Sequence, residues 1–254
     1  MEHSKSYALN LGLSIFILLA ALTGVEYFVA VTVASFFLLA LIALTKAGLV
    51  LYYYMHIYRL SRSQPGHDRE SYAYKTDSNR FGLWLFLLSD SFVFGGLLVT
   101  RFGLLGNTRP DLNQALGLLV TAVLLISSFF MNRAETSLEH GDRRNFLMGT
   151  FATILLGAGF LAGVIGVEWP SAIREGITPS SGSSGAVFFM LTGMHAFHVL
   201  TGVIFLLIVF RNGLRGLYSP ERHWAVEAAA VYWHFVDVVW IFFYPALYLI
   251  GSHL

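Results

Sequence analysis

Six ionisable side chains sit in segments whose other residues are almost all apolar. In "YWHFVDVVWIFF", residues 232–243, His234 and Asp237 lie three positions apart within the apolar and aromatic run 225–250. "MLTGMHAFHVLTG" places His195 and His198 three apart in the same manner, and "FGLWLFLLSDSFVF" carries Asp90. Steps of three or four stay on one face of a helix, so His195 projects with His198, and His234 with Asp237. Glu227, seven positions before His234, falls on that same face nearer the start of its segment. A charge near the middle of a membrane helix costs about 2.5–3.5 kcal/mol on insertion scales, so such side chains turn inward and meet partners. At about 1.5 Å per residue the central groups reach similar depth. The expectation is a shared polar layer in which neighbours offset one another's burial.

Each group has two chemical readings. A buried histidine satisfies its nitrogens with hydroxyls or backbone carbonyls; alternatively, imidazoles on facing helices ligate haem. Asp90 and Asp237 pair with a buried histidine or a lipid headgroup, or they move protons. Lys46 can snorkel along its own stem, and His56 falls at the membrane interface. Glycines in the spans allow close helix packing. There is no phosphate-cradling loop, no nucleophile spaced to a base, and too few histidines for haem plus copper. Nothing in the chain looks catalytic by itself.

The elements that hold these residues follow from composition. Of 254 residues, 56% are hydrophobic and 12% charged, with a mean hydropathy of +0.65; soluble domains carry about 25% charged residues. An all-α polytopic membrane protein is the class this implies. The net charge of +1 gives no sign of a nucleic-acid partner, and the absence of cysteine rules out disulfides and thiolate metal sites. A membrane helix needs about 20 apolar residues. Seven windows qualify: 8–25, 29–58, 81–105, 115–133, 145–167, 186–210 and 225–250. No small-x-small cleavage site closes the first, which reads as a retained span. Gly24 and Glu26 mark a tight turn into the second, and the polar stretch 59–80 divides a two-helix part from a five-helix part. Seven spans gather twelve of the 16 Lys and Arg residues on one side. By the positive-inside rule the N-terminus is cytoplasmic and the C-terminus outside.

"SSGAVFFMLTGMHAFHVLTGVIF" and "HWAVEAAAVYWHFVDVVWIFFYPALYLIG" resemble the last two helices of subunit III of haem–copper terminal oxidases, and "FGLWLFLLSDSFVFGG" resembles its third. The likeness covers residues 78–252. It implies a non-catalytic core subunit that steadies the catalytic subunit, holds phospholipid in a cleft and assists proton uptake. Asp90, His195, His198, His234 and Asp237 match characteristic polar positions of that family, which usually has Glu where this chain has Asp90. Haem and copper are then expected in the partner subunits I and II, with none in this chain. The first two helices depart from the family's usual opening pair. "IALTKAGLVLYYYMHIYRL" instead looks like the small bacterial oxidase subunit IV, which implies a bacterial plasma membrane. The expected organisation is a subunit IV-like hairpin over 1–60, a polar cytoplasmic linker over 61–80 and a five-helix core over 81–254. The function this implies is an accessory subunit of a proton-pumping cytochrome c oxidase of aerobic respiration, in a membrane that can also hold a larger respiratory supercomplex. A ubiquinol oxidase subunit, a stand-alone proton-coupled transporter and a dihaem cytochrome are the alternatives.

Overall fold

The structure, a computed structural model, describes residues 2–33, 35–62 and 71–253. Seven helices are long and apolar enough to cross a membrane, the number expected. They are built on α1 (Glu2–Thr32), α2 (Phe36–Leu49, continued by a π-helical turn to Tyr54), α3 (Tyr72–Leu105), α4 (Gln114–Glu139), α5 (Arg143–Gly163, continued to Arg174), α7 (Ser183–Leu214) and α8 (Trp224–Tyr244, continued to Leu249), with a short α6 (Trp169–Arg174) after α5.

Three boundaries differ from the sequence expectation. Gly24 and Glu26 do not form a turn: α1 continues to Thr32, and the chain reverses between Thr32 and Phe36. A buried lysine neutralises Glu26 (below), so the helix has no exposed charge there to end it. The third span begins at Tyr72 rather than at 81, started by Ser71, whose hydroxyl accepts from the Tyr74 amide at 3.2 Å. Residues 63–70 of the expected polar linker lie outside the described residues. Finally, α5 extends through one π-helical turn (Val164–Glu168) into α6, and the turn widens just before Pro170, which has no amide hydrogen to give to the ladder.

The last helix is the axis of the bundle. In α8, 89% of the apolar window is buried, against 11% in α3. Apolar residues all round are therefore required of α8, while α3 leaves most of its surface exposed. α8 packs on α2, α3, α4 and α7; α1 lies along α4 and α2; α5 fills the space between α4 and α7. Trp233 sits between glycines: a Cβ on Gly157 would lie 2.4 Å from its ring, and one on Gly202 2.9 Å. At Pro245, which offers no amide hydrogen, α8 widens into a π-helical turn ending at Leu249.

Where α3 and α8 end, Arg101 ties them together. Its side chain is fully buried and donates to the carbonyls of Ala246 (2.6 Å), Gly106 (2.9 Å), Thr108 (3.1 Å) and Ile250 (2.7 Å). These carbonyls lie beyond helix C-termini, where a cation is favoured by the helix dipole. Beside it, β1 (Thr108–Arg109) pairs in parallel with β2 (Ser252–His253), and Arg109 donates to the carbonyls of Gly251 and Tyr248.

Candidate functional site

The six residues singled out in the sequence do not meet in one cluster: the structure places them in five settings, with Asp90 and His198 together and the other four apart.

Asp90 of α3 and His198 of α7 meet at 3.2 Å, Oδ2 to Nε2, in contact although off the line of a good hydrogen bond. Nδ1 of His198 lies 2.7 Å from the Met194 carbonyl, one turn earlier in α7. A carbonyl only accepts, so the neutral ring carries its proton on Nδ1 and turns the Nε2 lone pair toward Asp90. Phe94 packs edge-on against the ring at 4.7 Å. His198 also lines an apolar groove of about 560 Å³ between α3, α7 and α8, with Phe86, Phe197, Phe205 and Tyr232.

His195 does not act with His198. Its ring is fully buried, 4.8 Å from Trp240 and 5.4 Å from Phe160, and neither nitrogen has a hydrogen-bond partner. Neither expected reading of this residue, a satisfied polar core group or half of a pair, describes it. Three residues along α7 are enough for His198 to reach α3 while His195 turns toward α5 and α8.

His234 and Asp237 share one neighbour, Ser128 of α4, and otherwise diverge. His234 Nδ1 meets Ser128 Oγ at 2.6 Å, and the preceding Trp233 donates to Ser127 Oγ at 3.1 Å. Two successive serines of α4 thus fix two successive residues of α8. Tyr54 covers the His234 ring at 5.1 Å and donates to the Gly12 carbonyl. Asp237 faces a small cavity shared with Lys46 of α2. Lys46 is 2% exposed and pairs with the fully buried Glu26 of α1 at 2.5 Å. It does not snorkel. Sequence reasoning missed this pair because it assigned Glu26 to a turn. The available signal was one cation and one anion, each in the middle of an apolar run, on two spans that must be neighbours.

Glu227 stands apart from His234, at the end of the bundle where α8 begins. Arg80 binds its two oxygens at 2.8 and 3.0 Å, and Arg59 approaches at 3.7 Å while donating to Glu139 at 2.9 Å. Glu135, almost wholly buried, adds a third carboxylate. Burial works against the Arg59 charge, but Glu135, Glu139 and Glu227 outweigh it and raise its pKa. The network fastens the end of the first hairpin to α3, α4 and α8. Glu135 was not singled out in the sequence because it lies just past the apolar window 115–133. Among the described residues, no three His, Asp or Glu side chains converge as metal ligands.

Comparison with known proteins agrees with the fold. The family profile described as Cytochrome c oxidase subunit III matches residues 1–252, a span that includes the first two helices. The chain is similar to cytochrome c oxidase subunit 3 of Equus caballus, with 36% identity over 186 residues, covering 68% of this chain and 70% of the relative. It is similar to the corresponding protein of Felis catus at 35% over 186 residues and of Halichoerus grypus at 36% over 188, with the same coverage.

Proposed function

The chain belongs to the cytochrome c oxidase subunit III family, and from that premise we propose a specific role within the oxygen-reducing complex. As a multi-pass membrane subunit of a haem–copper oxidase it works alongside other oxidase subunits. In the proposed role it is non-catalytic and packs against subunit I, which with subunit II carries the haem and copper. The groove between α3, α7 and α8 takes phospholipid acyl chains. Asp90 and His198 pass protons toward the uptake side of the pump. The Asp90–His198 contact at the wall of the groove supports this reading: a carboxylate and an imidazole lie together beside an apolar opening. The donor is cytochrome c, with ubiquinol as the alternative. The membrane is a bacterial plasma membrane, with the Arg59, Arg80 and Glu227 end cytoplasmic, in keeping with the excess of basic loops on that side. The hairpin over 1–60 is a fused subunit IV-like element. Its Arg59–Glu139 bridge gives it a fixed seat on the core.

A mild-detergent pull-down of the tagged chain from native membranes tests the proposal. The expected result is co-elution with a haem-bearing subunit, seen in the reduced-minus-oxidised spectrum. The complex oxidises cytochrome c, and the chain expressed alone is colourless. Oxidation of ubiquinol instead moves the donor assignment; haem in the chain alone, or elution without haem partners, overturns the role. Asp90→Ala should shorten activity lifetime at alkaline pH with haem spectra unchanged, and an unchanged inactivation rate would remove the proton role.

A further inference from the structure

We propose that the cavity between Lys46 and Asp237 is a site for one water molecule, which bridges the two side chains and seats the N-terminal hairpin on α8. Leu19 and Thr23 of α1, Lys46 of α2, Thr121 and Leu125 of α4, and Asp237, Trp240 and Ile241 of α8 enclose it. Its volume is about 10 Å³, which is about the room that one water needs.

The polar atoms around the cavity are complementary to water. Lys46 has three N–H donors, one of which goes to Glu26 Oε2. Among the described residues it makes no direct ion pair with Asp237, whose Oδ2 is buried and without a hydrogen-bond partner. Thr23 spends its hydroxyl hydrogen on the Leu19 carbonyl at 2.9 Å and keeps its oxygen free to accept. Thr121 is occupied on both counts, donating to the Gly117 carbonyl and accepting from Trp240 Nε1 at 2.9 Å. A water accepting from Lys46 and donating to Asp237 and Thr23 makes three hydrogen bonds, the usual number for a buried water. Without it, Asp237 Oδ2 stays unpaired at membrane depth, where no bulk solvent supplies a partner. A cation is the wrong occupant, because the Lys46 ammonium already fills that role and would repel it.

The site links Thr23 and Lys46 of the hairpin to Asp237 of α8. It also answers why Asp237 is tolerated in the most buried helix: its nearest opposite charge comes from the hairpin, relayed by one water.

The test is an experimental structure of the chain, with whatever native partners co-purify, at a resolution that shows ordered waters. Density within hydrogen-bonding distance of both Lys46 Nζ and Asp237 Oδ2 is expected. A cavity without density, or Lys46 bonded directly to Asp237, overturns the proposal. Thr23→Leu supplies a second readout by thermal unfolding of the purified full chain. In a water site it removes an acceptor and displaces the water, so the unfolding midpoint falls. In a dry apolar void the added carbons fill space and the midpoint rises, which also overturns the proposal. Neither readout depends on oxidase activity, so failure here is separate from failure of the proposed function.

Discussion

Replacing Arg101 by methionine keeps much of the apolar stem but removes every donor that this side chain supplies between the ends of α3 and α8. Four carbonyls lose their partner: Ala246 and Ile250 in fully buried bonds, Gly106 and Thr108 in partly buried ones. Water can recover the second pair, so only the first two count in full. A buried acceptor left unpaired costs about 1–3 kcal/mol, which gives a loss of about 4 kcal/mol for two. Arg101→Lys keeps the charge near the helix C-termini, yet an ammonium has three donors and no planar fork. It should therefore cost about 1–2 kcal/mol, the worth of the bond it cannot make. The assay is unfolding of the purified chain in mixed micelles with increasing SDS, followed by tryptophan fluorescence. Arg101→Met within about 0.5 kcal/mol of the parent, the range of inconsequential surface changes, would refute the reasoning. So would Arg101→Lys unfolding as easily as Arg101→Met, since the graded loss of donors would then be irrelevant.

Other outcomes follow from particular contacts. Gly157→Ala should destabilise by about 1–3 kcal/mol despite alanine's better helix propensity, because Trp233 is 2.4 Å from the new Cβ and is held on its far side by Gly202; a raised SDS midpoint would contradict this. His195→Phe should leave stability unchanged or raise it by about 1 kcal/mol, since both imidazole nitrogens are buried and unpaired among aromatic rings; loss of folding would show that the ring makes a polar bond. Asp142 caps α5 by accepting from the Asn145 amide at 3.0 Å, and Asp142→Ala should cost about 1 kcal/mol in the same unfolding assay. The Lys5 hydrogen bond, with the Asn145 amide, holds the Asp142 carboxyl down at about 2 rather than 3.8. A depressed carboxyl pKa stabilises above the unfolded value and is lost as pH falls through the folded one. Lys5→Met should therefore flatten the acid limb of stability between about pH 4 and pH 2, by less than about 1 kcal/mol for so exposed a bridge. An unaltered acid limb would show that the bridge does not persist in solution.

The number of spans was legible in the sequence because a bilayer imposes a local rule: about 20 apolar residues in a row, whatever surrounds them. The same rule marked Asp90, His195, His198, Glu227, His234 and Asp237 as residues needing partners. Which partner each receives depends on how helices are rotated and placed beside one another, and spacing along one helix carries no record of that. The i, i+3 rule put His195 with His198 and His234 with Asp237; the first two turn to different helices, while the second two meet at Ser128 and diverge from there. Asp90 finds His198, Ser128 finds His234, and Asp237 faces Lys46. Glu26 and Lys46 were read as a turn and a snorkelling cation because each was judged alone; twenty residues apart in the chain, they are one buried ion pair in the fold. Composition and local periodicity determined that this chain crosses a membrane seven times and carries charges it must bury. Only the packing of α1, α2, α3, α4 and α7 around α8 decided how those charges are matched, because a buried charge is stabilised by what lies within a few ångströms, and those atoms come from other helices.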